Sequence, residues 1–213
     1  LLKVCDNGIG MTEEELDKNL GTIAKSGSLQ FTNENETGEH DVDIIGQFGV
    51  GFYAAFMVAD RVEVVSRAYG SDKAFKWQST GADGYHVTEA EKDTVGTEIT
   101  LHIKESTEEA DYDRFLDTYT ISSLIKKYSD YIRFPIRMDM ERSRLKEGSD
   151  SEYETYTENV TVNSMIPLWK KNKKDITKEE YEKLYTEKLT AYDKPRRVIH
   201  QNEEGTTSKQ RVV

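Results

Sequence analysis

Two glycine-rich segments about forty residues apart constrain this chain more than any other feature: Asp6-Asn7-Gly8-Ile9-Gly10-Met11 and Gly46-Gln47-Phe48-Gly49-Val50-Gly51-Phe52. The first places a carboxylate at the end of an apolar strand. The glycines after it lack Cβ atoms, so a flat ring can approach their backbone closely. The second places glycines just before an apolar helical run, where amide N–H groups are unpaired and carry partial positive charge. Alone, each also fits a plain reading: a strand-ending turn for the first, a tight turn before a helix for the second. Together, with polar sequence between them, they read as two walls of a nucleotide pocket, an ATP site. The second segment lacks the Lys-Ser/Thr pair of a Walker A loop, and its glycine spacing is that of a dinucleotide fingerprint reversed, with no βαβ unit around it. Protein-kinase motifs are absent too.

The rest of the chain supports a sheet with helices gathered on one face. Thr12 and Glu15 form a capping box, predicting a helix from about Glu13 with Leu16 and Leu20 on one face and a stop at Gly21. Residues 30–43 are dominated by Asn, Glu, Thr and Gly and read as a loop over the pocket. The run from Phe52 to Val58 is almost wholly apolar and predicts a helix buried on most sides. Residues 61–66 and 73–79 alternate around a turn at Gly70-Ser71-Asp72, predicting a hairpin with Val62 and Val64 on one face. Further strands are predicted at 85–87 and 97–103. Strands in direct succession predict a largely antiparallel sheet. An amphipathic helix follows through Ile121, Leu124, Ile125, Tyr128 and Ile132, ending before Pro135, and 137–140 fits one more strand. Residues 141–159 carry six acids and three bases with almost no aliphatics and read as a solvated linker. Thr177 with Glu180 caps a last helix bearing Tyr181, Leu184 and Tyr185. The resulting division is a nucleotide-binding domain over 1–140, a charged linker over 141–163 and the start of a second domain over 164–213.

Composition removes several alternatives. Of 213 residues, 29 are Lys or Arg and 40 are Asp or Glu, a net charge of −11. No basic face for nucleic acid or an anionic membrane is expected. The single cysteine, Cys5, permits no internal disulfide, and no apolar run is long enough to cross a membrane, so a cytoplasmic protein is the expectation. His40, His86, His102 and His200 share no metal-ligand spacing. Lysines 170, 171, 173 and 174 read most simply as a charged solvated face. The chain opens inside what reads as a strand, Leu1 to Cys5, and is expected to be part of a longer protein.

Leu2 to Gly10, the run Asn19-Leu20-Gly21-Thr22-Ile23-Ala24-Lys25-Ser26-Gly27, and Ile45 to Arg61 closely resemble the ninety-kilodalton heat-shock chaperones (Hsp90), in their bacterial form. The glycine boxes alone fit the wider group of gyrase, histidine-kinase and mismatch-repair ATPases. Thr-Ile-Ala-Lys-Ser-Gly and Gly-Gln-Phe-Gly-Val-Gly-Phe-Tyr are specific to the chaperones. Ile166-Pro167-Leu168-Trp169 and the Thr177 helix resemble the start of that family's middle domain, and the likeness is expected to fade over the last eight residues.

The resemblance implies an α/β fold, an α+β sandwich of Bergerat type, with an antiparallel-rich mixed sheet, helices on one face, and an N-terminal portion missing. It implies ATP or ADP as ligand, with magnesium in the complete protein, unfolded or partly folded client proteins as partners, and a homodimer. Asp6 would take the adenine amine, with Gly10 and Thr97 in the surrounding water network and Met11 near the base. Asn19, Lys25 and Phe52 would line the nucleotide, and Gly49, Val50 and Gly51 would present amides to the phosphates. Residues from about Ser26 to Gly46 would form a lid. The family's water-activating glutamate and magnesium-holding asparagine lie on a helix upstream of the Asp6 box, and its phosphate-contacting arginine lies beyond Val213. No catalytic residue and no metal ligand is therefore assigned within the chain. The rival expectations are an adenine-nucleotide-binding module without hydrolysis and a fragment with interaction capacity alone.

Overall fold

Alternation along the strands decides which face of the sheet is buried. A computed structural model describes residues 1–21, 50–149, 151–189, 193–204 and 209–212. The chain forms two compact units, Leu1–Asp117 and Thr118–Val213.

In the first unit, strands β1 (Leu2–Cys5), β2 (Ala59–Arg67), β3 (Ala74–Ser79), β4 (Tyr85–Ala90) and β5 (Gly96–Ile103) form one five-stranded sheet in the order β1-β5-β2-β3-β4. Every pairing in it is antiparallel, as the succession of strands predicts. Residues directly opposite one another share a face. The register Leu2↔Leu101, Leu101↔Val62, Ile99↔Val64, Val64↔Trp77 and Trp77↔Val87 therefore puts the apolar side chains of all five strands on one side. Helix α1 (Glu13–Leu20) lays Leu16 and Leu20 on that side, where they bury with Val62, Val64, Trp77 and Leu101. Its capping box is present: the Glu15 N–H donates to Thr12 Oγ1 at 3.3 Å, and the Thr12 N–H donates to Glu15 Oε2 at 2.8 Å.

The Phe52 run departs from the predicted buried helix. It is a 3-10 turn (Gly51–Ala54) followed by one short helix, α2 (Ala55–Val58). Phe52 and Phe56, four residues apart, pack inward on the core, while Met57 on the outer side is 72% exposed. An apolar run this short covers the sheet with one side only.

In the second unit, helix α3 (Thr118–Tyr128) precedes a hairpin of β6 (Arg137–Leu145) and β7 (Tyr153–Thr161). Much of the stretch read as a solvated linker is thus paired strand. Its charges match across the ladder, with Arg144 to Glu154 at 2.6 Å and Lys146 to Glu152 at 3.3 Å. The near absence of aliphatics reported a lack of burial; it did not preclude backbone pairing. The buried Asn163 side chain then fastens the approach to β6, donating to the carbonyls of Ile132 and Phe134 at 3.0 and 2.9 Å and accepting from the Ile136 N–H at 2.7 Å. Helix α4 (Lys178–Leu189) starts at the predicted Thr177–Glu180 box, with contacts of 2.9 and 3.3 Å. The chain's last described residues, β9 (Lys209–Val212), pair with β8 (Gln201–Glu204).

Candidate functional site

At one end of the buried face the side chains change from apolar to polar on three adjacent strands at once. Val4, Ile99 and Val64 lie in one row, and the next row holds Asp6, Thr97 and Ser66. Asp6 follows β1 by one residue and continues its pairing. Its N–H donates to the Thr97 carbonyl at 2.8 Å, and the Thr97 N–H donates back at 3.3 Å.

The Asp6 carboxylate is fixed through one oxygen. Oδ1 accepts from the Gly8 N–H at 2.8 Å and from the Thr97 N–H at 3.3 Å. Oδ2 has no hydrogen-bond partner among the described residues, and the side chain is exposed. A carboxylate held this way is an oriented acceptor with one oxygen to offer a donor.

Ser66 organises the same corner and was not singled out in the sequence. It is fully buried. Its Oγ accepts from the Met11 N–H at 2.8 Å, lies 2.9 Å from Thr97 Oγ1 and reaches the Gly96 carbonyl at 3.3 Å. A hydroxyl has one proton and two lone pairs. If Ser66 donates to Gly96, Thr97 donates to Ser66 and keeps acceptor capacity for a water. The available signal was a hydroxyl at the third place of the Val62, Val64, Ser66 alternation, where burial calls for an apolar side chain.

Gly10 has φ +66°, and a Cβ there would lie 1.9 Å from the Arg67 carbonyl oxygen. Its bareness serves the close passage of the Asp6 loop against the end of β2, where the Tyr69 N–H donates to the Ile9 carbonyl at 2.7 Å. Gly51 is the opposite case. A Cβ on it would meet nothing within 4 Å among the described residues.

The second wall joins α1. The Tyr53 hydroxyl donates to the Leu20 carbonyl at 2.8 Å, and burial pushes this phenol up, so it remains a neutral donor. Phe52 sets its ring edge-on to Trp77, 5.5 Å between centroids. Met11 and Phe52, one from each wall, pack on the same core cluster, and Asn19 lies half-buried on α1 between Leu16 and Leu20. Ser66 thus joins Met11 to Thr97, Thr97 pairs with Asp6, and Gly10 lies against the end of β2 beside them, whereas Asn19, Val50, Gly51 and Phe52 belong to the adjoining wall. Lys25, Gly49 and the expected lid lie outside the described residues. Cys5 is no nucleophile candidate: partial burial and the Glu98 carboxylate, 3.8 Å from its sulfur, push the thiol up. Among the described residues no group of three His, Cys, Asp or Glu side chains is placed to hold a metal.

Residues 2–113 match the family model described as histidine kinase-, DNA gyrase B-, and HSP90-like ATPase. The chain belongs to this ATPase family. Residues 142–213 match the Hsp90 protein family, a match that runs through the last eight residues. The chain is 56% identical over 207 residues to the chaperone protein HtpG of Clostridium perfringens strain 13, covering 97% of this chain and 33% of that protein. It is 58% identical over 205 residues to HtpG of Oceanobacillus iheyensis, covering 96% and 33%. HtpG of Clostridium botulinum strain Hall is 56% identical over 208 residues, covering 98% and 33%. Both parts of the chain are therefore of the HtpG-type Hsp90 kind, and the chain spans about a third of the length of these relatives. No described helix is long and apolar enough to cross a membrane.

Proposed function

We propose that this chain supplies the ATP-binding region of an ATP-dependent molecular chaperone, with adenine read by Asp6. The observation that carries the reading is the Asp6 carboxylate, oriented through Oδ1 by two N–H donors and offering Oδ2 outward. The exocyclic amine of adenine is a donor of the matching kind, and the Thr97 hydroxyl, oriented by Ser66, offers a bridging water an acceptor. Gly51 leaves open backbone at the start of a helical turn, where phosphate oxygens find amide donors. The donor set thus fits ATP or ADP. Lys25, Gly49, Val50 and Asn19 complete the site in this reading, and Gly46 ends the lid.

In the whole protein, nucleotide turnover would drive a homodimer closing on unfolded or partly folded clients in the cytoplasm, with magnesium on the phosphates. These assignments rest on the resemblance to the Hsp90 chaperones. The local test is calorimetric titration of the chain with ADP. One-to-one binding is expected, weakened about 10- to 100-fold in Asp6→Ala, the loss of one hydrogen bond to a charged acceptor. Unchanged affinity in that variant would refute the reading.

A further inference from the structure

The second unit carries a cavity of about 410 Å³ whose wall holds four cations, Lys173, Lys178, Arg196 and Arg197, against one carboxylate, Glu182. This excess stands out in a chain of net charge −11. The neighbouring cavity of about 120 Å³ in the same unit is balanced, with Asp130 and Glu180 against Lys171 and Lys183, and Lys171 reaches Glu180 at 2.7 Å.

Glu182 pairs with Lys194 at 2.9 Å and with Lys178 of the wall itself at 3.7 Å, so Lys173, Arg196 and Arg197 are the lining cations that no described carboxylate engages. Lys173 makes one long contact, 3.5 Å to the His200 carbonyl. Arg196 and Arg197 form no hydrogen bond, ion pair or ring contact among the described residues. Two uncommitted guanidiniums at one cavity repel each other and gain from a shared dianion, which they bind through parallel N–H donors. The remaining lining is apolar: Ile176, Pro195, Val198 and the ring of Tyr181, whose hydroxyl is held 2.6 Å from His200 Nδ1. Cations beside an apolar floor suit a ligand with a charged head and a flat or aliphatic body.

We propose that this cavity binds a small organic phosphate monoester, its dianion on Arg196 and Arg197 and its organic body against Tyr181, Ile176 and Val198. None of its lining residues belongs to the Asp6 corner. The test titrates phenyl phosphate into the 213-residue chain by calorimetry, with and without saturating ADP. Saturable binding unaffected by ADP and by Asp6→Asn is expected, weakened at least about tenfold in R196Q/R197Q. Inorganic phosphate should bind more weakly than phenyl phosphate. Absence of binding, displacement by ADP, or full affinity in R196Q/R197Q would overturn the proposal, as would equal affinity for inorganic phosphate. Should circular dichroism show R196Q/R197Q unfolded, Lys173→Gln in the same lining gives the same reading.

Discussion

Gly10 and Gly51 belong to the two glycine boxes and do different work. At Gly10 a side chain meets the Arg67 carbonyl at 1.9 Å and the backbone sits at φ +66°, so the glycine serves the fold. At Gly51 a side chain meets no described residue within 4 Å, so in the nucleotide reading the glycine serves the ligand. Gly10→Ala should therefore lower stability by more than about 2 kcal/mol in urea denaturation. Gly51→Ala should leave stability within about 1 kcal/mol, with any change a gain, yet weaken ADP binding in calorimetry. The reverse pattern would mean the two glycines have been assigned the wrong roles. Asp6 and Gly10 were legible as candidates because strand end, carboxylate and glycine stand together in sequence, and Thr97 entered through the resemblance. Ser66 was not legible, because its importance depends on register: it becomes the centre of the corner only when β2 pairs Ser66 with Thr97.

Among the elements, helix starts were the most legible, since capping boxes are local chemistry. Both Thr12–Glu15 and Thr177–Glu180 form as read. The second has a pH signature. Lys171, then the Thr177 N–H, hold the Glu180 carboxyl below the usual carboxylate range. A carboxyl depressed in the folded state stabilises the fold above its unfolded pKa, and the contribution is lost as pH falls through the folded value. Thermal midpoints measured below pH 5 should fall more steeply in the wild type than in Glu180→Gln, the two converging in acid. Parallel curves would contradict the assignment. The β6–β7 hairpin was the least legible element. Pairing between two exposed, charged strands leaves no period-two apolar pattern, and that pattern is what sequence reading detects.

At the scale of the whole molecule, the antiparallel sheet with its helices on one buried face followed from strands in succession. The nucleotide reading drew on resemblance as well as on spacing. Composition carried one misleading message. A net charge of −11 describes the average surface and conceals the cationic cavity at Arg196 and Arg197. For the nucleotide site the same acidity means recognition must rest on oriented local groups, above all the free Asp6 oxygen. The direct test compares ADP with inosine diphosphate, which replaces the adenine amine by a carbonyl, in the wild type and in Asp6→Asn, by calorimetry. The wild type should prefer ADP about 10- to 100-fold, one hydrogen bond to a charged acceptor, and Asp6→Asn should lose or invert that preference. Equal preference for ADP in both proteins would show that Asp6 does not read the base.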